Sequence, residues 1–216
     1  MKIRWFVAMA VCLLFGLSSS AFAQWKISGL KVSSGQDAIS SGIAGTVQFQ
    51  NGHGAGEFVV QSEQAWFLYG PTWEKGALSG QLAGSFGHFQ ESPWVGPYLY
   101  LDWKIEALWS IAGSAPSIFV LEWPAFFAWE PRDWDDDVPN PESIFIGNFT
   151  MAGVNVGPMG FSVGRLDFLD DPLNWLYGAS YTLRLGGQTA LISSATWNSN
   201  AAKWMLLMGA SWKPSS

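Results

Sequence analysis

From residue 95 to residue 111 every odd position is apolar: Val95, Pro97, Leu99, Leu101, Trp103, Ile105, Ala107, Trp109 and Ile111. The positions between them hold Gly96, Tyr98, Tyr100, Asp102, Lys104, Glu106, Leu108 and Ser110, so the charges share the opposite face of an extended chain. A period of two kept this long predicts a β-strand. Further strands are predicted over residues 43–50, 57–69, 77–89, 118–129, 144–156, 160–168, 177–185, 189–197 and 204–213. Turn signals such as Asn51-Gly52-His53-Gly54, Gly70-Pro71 and Gly157-Pro158 separate them. No amphipathic helix is available to cover the apolar faces, and lipid is the expected cover.

No segment after the first residues has the run of about 20 apolar residues that a membrane-spanning helix requires. A sheet facing lipid must then close on itself. The expectation is an all-β, antiparallel up-and-down transmembrane barrel of about ten strands, within a range of about 8 to 12. Residues 130–142 form a long acidic loop; placing it outside the cell puts the turns at 157–160 and 186–188, with both chain ends, in the periplasm. Residues 24–41 read as a periplasmic lead, and residues 42–216 as one barrel domain. Trp25 and its apolar neighbours up to Val32 would make an eleventh strand, which this alternation disfavours.

Lys2 and Arg4, an apolar run over residues 5–17 and the site Ala21-Phe22-Ala23 predict an export signal over residues 1–23. Its removal takes Cys12, the one cysteine, and excludes disulfides, thiolate metal sites and a cysteine nucleophile. Without Lys2 and Arg4 the 11 basic residues fall to nine against 17 acidic ones, a net charge near −8 that makes nucleic acid a poor partner. Only 13% of residues are charged, while 14 are Trp, 15 Phe and 24 Gly, a composition suited to a wall in lipid. Trp66 and Trp73, Trp94 and Trp109, Trp129, and Trp197 and Trp204 stand near predicted strand ends, where indole rings favour the boundary of water and lipid.

On these strands, turns and aromatics the chain resembles bacterial outer-membrane β-barrel proteins, over nearly all of its length after the export signal. The resemblance is one of architecture and implies contacts with outer-membrane lipid and lipopolysaccharide and insertion by the barrel-assembly machinery. The end of the chain, Trp212-Lys213-Pro214-Ser215-Ser216, departs from the terminal aromatic residue common in that class.

With the odd face of residues 95–111 outward, Asp102, Lys104 and Glu106 point into the lumen, where Glu122 and Arg184 are expected to join them in a charge network. Arg165 and Asp167 join too if Gly164 marks a bulge. Pro124 implies a bulge in its own strand, since proline cannot donate to a ladder. A hydrolase would need one of the two histidines. His53 lies in a Gly-rich turn; His88, near Glu91 and Ser92, resembles the membrane-edge sets of lipid-modifying barrels but shares the parity of Leu82 and Phe86. Asp133, Asp135, Asp136 and Asp137 are weak candidates for a metal, lacking the spacing of a calcium loop. Asn148-Phe149-Thr150 matches a glycosylation acceptor inside a predicted strand and is discounted.

No cofactor motif is present. Three functions follow: a small non-enzymatic barrel acting as a narrow channel, small-molecule passage or wall protein; a lipid-modifying enzyme using His88; or a secreted soluble β-sandwich or lipocalin-like binder.

Overall fold

The computed structural model describes residues 25–36, 41–61, 64–89, 92–108, 115–127, 145–168 and 174–214. These form a closed antiparallel barrel of twelve strands in simple up-and-down order. They are β1 (Lys26–Gln36), β2 (Ser41–Asn51), β3 (Gly54–Val60), β4 (Gln64–Lys75), β5 (Leu78–Phe89) and β6 (Ser92–Lys104), then β7 (Ser117–Phe127), β8 (Phe145–Val156), β9 (Met159–Phe168), β10 (Asn174–Arg184), β11 (Thr189–Asn198) and β12 (Lys203–Trp212). β1 closes the ring by pairing Leu30 with Trp212 and Gly35 with Leu207 of β12. The expected segment 1–23 lies outside the described residues, as do the acidic positions 133–137.

Twelve lies within the expected range, two strands beyond the ten segments read from the sequence. The segment read as one strand over 57–69 belongs to two, because the chain reverses after Val60, with the Gln61 N–H donating to the Gln64 carbonyl. The segment expected as a periplasmic lead contains β1, which pairs with both β2 and β12. Its alternation is hidden by a register shift between Ile27 and Gly29, which moves the outward residues from odd Ile27 to even Leu30 and Val32. Gly70-Pro71 is no turn: β4 runs through it.

The two added strands cancel in parity. Phe127 and Phe145 therefore stand on one rim, here the upper, while the turns at 157–158 and 185–188 share the lower rim with the start of β1 and the end of β12, as the alternation predicted. Tight turns at 52–53, 76–77 and 157–158 make most of the lower rim. Gly76 (φ 60°) and Gly157 (φ 58°) adopt there the left-handed conformation that such turns require. β6 ends at Lys104 rather than at 111, and Glu106 lies in a short 3-10 turn.

The outer wall is apolar. Val95 is 58% exposed, Leu206 60%, Ile43 70% and Met208 70%, all on faces that no protein covers. Burial on that scale is missing because the expected cover is lipid, which a closed ring of hydrogen-bonded strands tolerates. Trp73, Trp103 and Trp212 lie on this wall towards the lower rim and Trp175, Trp197 and Trp204 towards the upper, as two aromatic belts. The soluble sandwich or lipocalin-like alternative is set aside by this inside-out distribution.

Candidate functional site

Facing is fixed by burial across the ladders. On β6 Trp94 is 7% exposed beside outward Val95, so even residues face the lumen. On β7 Phe127 is 5% exposed while Ile118, Val120 and Phe126 are exposed, so there the odd residues face inward. Leu99 pairs with Glu122 and Leu101 with Val120. Glu122 therefore stands on the outer wall, which corrects its expected place in the lumen. Both faces of β7 are apolar, so alternation could not orient it; the register with β6 does.

The expected charge network does not assemble. Lys104 instead pairs with Glu74 of β4 at 3.2 Å, both side chains well exposed. Asp102 faces the lumen with a buried Oδ1 that has no hydrogen-bond partner among the described residues. Glu106 is exposed in its turn, and Arg184 is exposed at the lower end of β10, four strands away from β6. Arg165 and Asp167 pair with each other (Nε to Oδ2, 2.7 Å) on the outward face of β9, with no register shift at Gly164.

On that outer face Glu122 accepts from Asn148 Nδ2 at 2.7 Å and from Thr150 Oγ1 at 2.6 Å. Thr150 is opposite Arg165 in the ladder and Asn148 opposite Asp167, so five polar side chains adjoin within an otherwise apolar wall.

His88 points outward, opposite Ala65 and Pro93, whereas Ser92 is completely buried on the inner face of β6. The two do not share a face. His53 is a turn residue, its N–H donating to Asn51 Oδ1.

The lumen has two compartments. In the upper one Trp94 and Trp123 meet edge to face with centroids 5.5 Å apart, Trp66 meets Trp123 at 5.7 Å, and Tyr98 meets Trp123 at 5.7 Å. Trp123 is locked by a relay: its Nε1 donates to Ser85 Oγ at 2.8 Å, and Ser85 Oγ donates to the Gly96 carbonyl at 2.7 Å. Phe149, Leu166, Leu176 and Met205 extend the apolar filling round to β12. Between the two groups a space of about 70 Å³ remains, lined by Trp66, Trp94, Trp123, Phe127, Phe149 and Leu166 among others. Trp66 and Trp94, expected at the membrane boundary, are lumenal.

Below lies a larger polar chamber of about 300 Å³, walled by Gln48, Glu57, Gln81, Tyr98 and Tyr100 with Ser28 from β1. Glu57 is opposite Gln48 in the β2–β3 ladder, and Lys31 is close enough to act on its carboxylate. Gln81 is fixed by donating from Nε2 to the Ala55 carbonyl at 2.6 Å. Trp66 joins the compartments, its ring on Trp123 and its Nε1 near Glu57 but without a hydrogen bond among the described residues. Sequence reasoning missed this chamber. Glu57 sat in a segment read as one strand, and no spacing signals that residues of β2, β3, β5 and β6 converge. Among the described residues no three His, Cys, Asp or Glu side chains are placed to hold a metal.

A closed barrel with an apolar outer wall, aromatic belts and a side-chain-lined lumen is a transmembrane β-barrel of the outer-membrane type. Its fold is that of porins. The KdgM porin superposes with a TM-score of 0.58 at 6% identity, over 87% of this chain and 99% of that one. The KdgM porin in complex with disordered oligogalacturonate gives 0.58 at 7% identity, with the same coverage. The outer membrane protein Omp33 of Acinetobacter baumannii gives 0.47 at 8% identity, over 88% of this chain and 99% of that one. No protein-family model matches the chain, and no curated protein matches it in sequence.

Proposed function

We propose that the chain is an outer-membrane passage for small, largely apolar molecules rather than an open aqueous pore. The observation that carries this reading is the aromatic filling of the upper lumen, where Trp66, Trp94, Trp123 and Phe127 leave a narrow apolar space above a roomier polar chamber. Ions crossing that level would lose hydration without gaining polar partners, whereas an apolar solute gains contact with the rings. Export through residues 1–23, insertion by the assembly machinery and lipopolysaccharide around the upper wall belong to the same reading. A lipid-modifying role for His88 finds little support, since His88 and Ser92 face opposite sides of the wall.

Conductance in planar bilayers tests the reading. The wild-type barrel should pass little ionic current, and Trp94→Ala combined with Trp123→Ala should produce discrete open steps. Large wild-type current unchanged by those truncations would mean an aqueous path that bypasses the rings, and the proposal would fall.

A further inference from the structure

An apolar molecule held between Trp94, Trp123 and Phe127 has a polar chamber beneath it and hydrocarbon just outside the wall. The wall at that level is unusual. β6 and β7 keep one register, with Val95 opposite Phe126 and Leu99 opposite Glu122, yet no ladder pairing joins residues 96–98 to residues 123–125. Continuing the register puts Pro97 opposite Pro124. An antiparallel hydrogen-bonded pair exchanges two N–H···O bonds, and here neither residue has an N–H, so both bonds are lost at once.

Away from this seam the same residues are fully paired, Pro97 with Gly84 of β5 and Pro124 with Asn148 of β8. From 95 to 99, at a strand rise of about 3.3 Å per residue, about 13 Å of seam lacks ladder bonds. The side chains at its centre are small, Gly96 and Ala125 inside and Pro97 and Pro124 outside, while Tyr98 and Trp123, one step lower, meet across it on the inner face. Gly96 lies directly on the Pro124 carbonyl, where any Cβ would collide, so backbone contact and the Trp123–Ser85–Gly96 side-chain relay, rather than ladder bonds, close the seam. Behind it is the aromatic space, lined from both strands by Trp94, Trp123, Ala125 and Phe127.

We propose that the seam at Pro97 and Pro124 is a lateral opening by which small apolar molecules, aliphatic or aromatic, pass between the aromatic space and the membrane hydrocarbon, a route that rests on the passage reading above. Parting the strands here breaks no ladder bond. Elsewhere along a paired seam, separation would strand backbone groups in lipid.

The test is uptake of the apolar dye N-phenyl-1-naphthylamine, which fluoresces on reaching hydrocarbon, by intact cells with and without the barrel. Pro97→Ala combined with Pro124→Ala restores both donors and should zip the seam. Uptake should then fall to the level of cells lacking the barrel, while the purified variant melts at or above the wild-type temperature. A second variant, Val95→Cys with Phe126→Cys, places a disulfide at the paired position above the seam, within reach for directly opposed strands. It should block uptake until a reductant is added. If the wild-type barrel accelerates uptake and neither variant slows it, the lateral route is overturned while the passage reading stands. If the wild-type barrel gives no acceleration, the passage reading fails and the route with it.

Discussion

Glu122 is held on the lipid-facing wall by two donors, and that arrangement predicts strong coupling among three side chains. Thr150→Val removes one donor at nearly constant volume, and Asn148→Leu removes the other. Each is a hydrogen bond to a charged group, worth about 1.5–3 kcal/mol, with no water at hand to replace it. Glu122→Leu should itself be neutral or stabilising, since it replaces a hydrogen-bonded charge on an apolar wall by a side chain that lipid accepts. In that background Thr150→Val should cost almost nothing. The measurement is a double-mutant cycle on reversible denaturant unfolding of the barrel in lipid vesicles. A coupling of about 1.5–3 kcal/mol between Glu122 and Thr150 is expected. A coupling below about 0.5 kcal/mol, the range in which independent sites add, would refute the outward placement of the carboxylate and its capping.

Leu82→Arg, mid-strand on the outward face of β5, should cost about 2–4 kcal/mol near the bilayer midplane and lower folded yield in vesicles far more than Tyr100→Arg in the lumen. Ser85→Ala deprives Trp123 Nε1 of its acceptor and should destabilise by about 1–3 kcal/mol, visible as a lower melting temperature in near-ultraviolet circular dichroism. Lys104→Met breaks the exposed contact with Glu74 and should change the unfolding free energy by less than about 1 kcal/mol, unlike loss of a buried pair.

The architecture was legible where the two faces of a strand differ in polarity. β6 sets Val95, Leu99 and Leu101 against Tyr100, Asp102 and Lys104, and its orientation follows from the sequence. β7 does not: Phe119, Trp123 and Phe127 line a lumen that is itself apolar, while Ile118, Val120 and Phe126 face lipid, so nothing in its alternation says which side is which. β1 was hidden by its bulge, and the β3–β4 reversal by the few residues between Val60 and Gln64. The candidate site was the least legible part. An aromatic lumen inverts the assumption that tryptophan in a barrel marks the membrane boundary, and the Glu57 chamber exists only once strands β1 to β6 are brought round to face one another.

The pairing of β1 with β12 makes the wall a ring in which every strand has two neighbours. Since β1 begins and β12 ends on the lower rim, a short linker joining them would leave the barrel's geometry intact. New termini could then be cut at Gly157-Pro158. Such a circular permutant should reach the same native state with a different strand synthesised last, separating what the finished barrel requires from what its order of assembly requires.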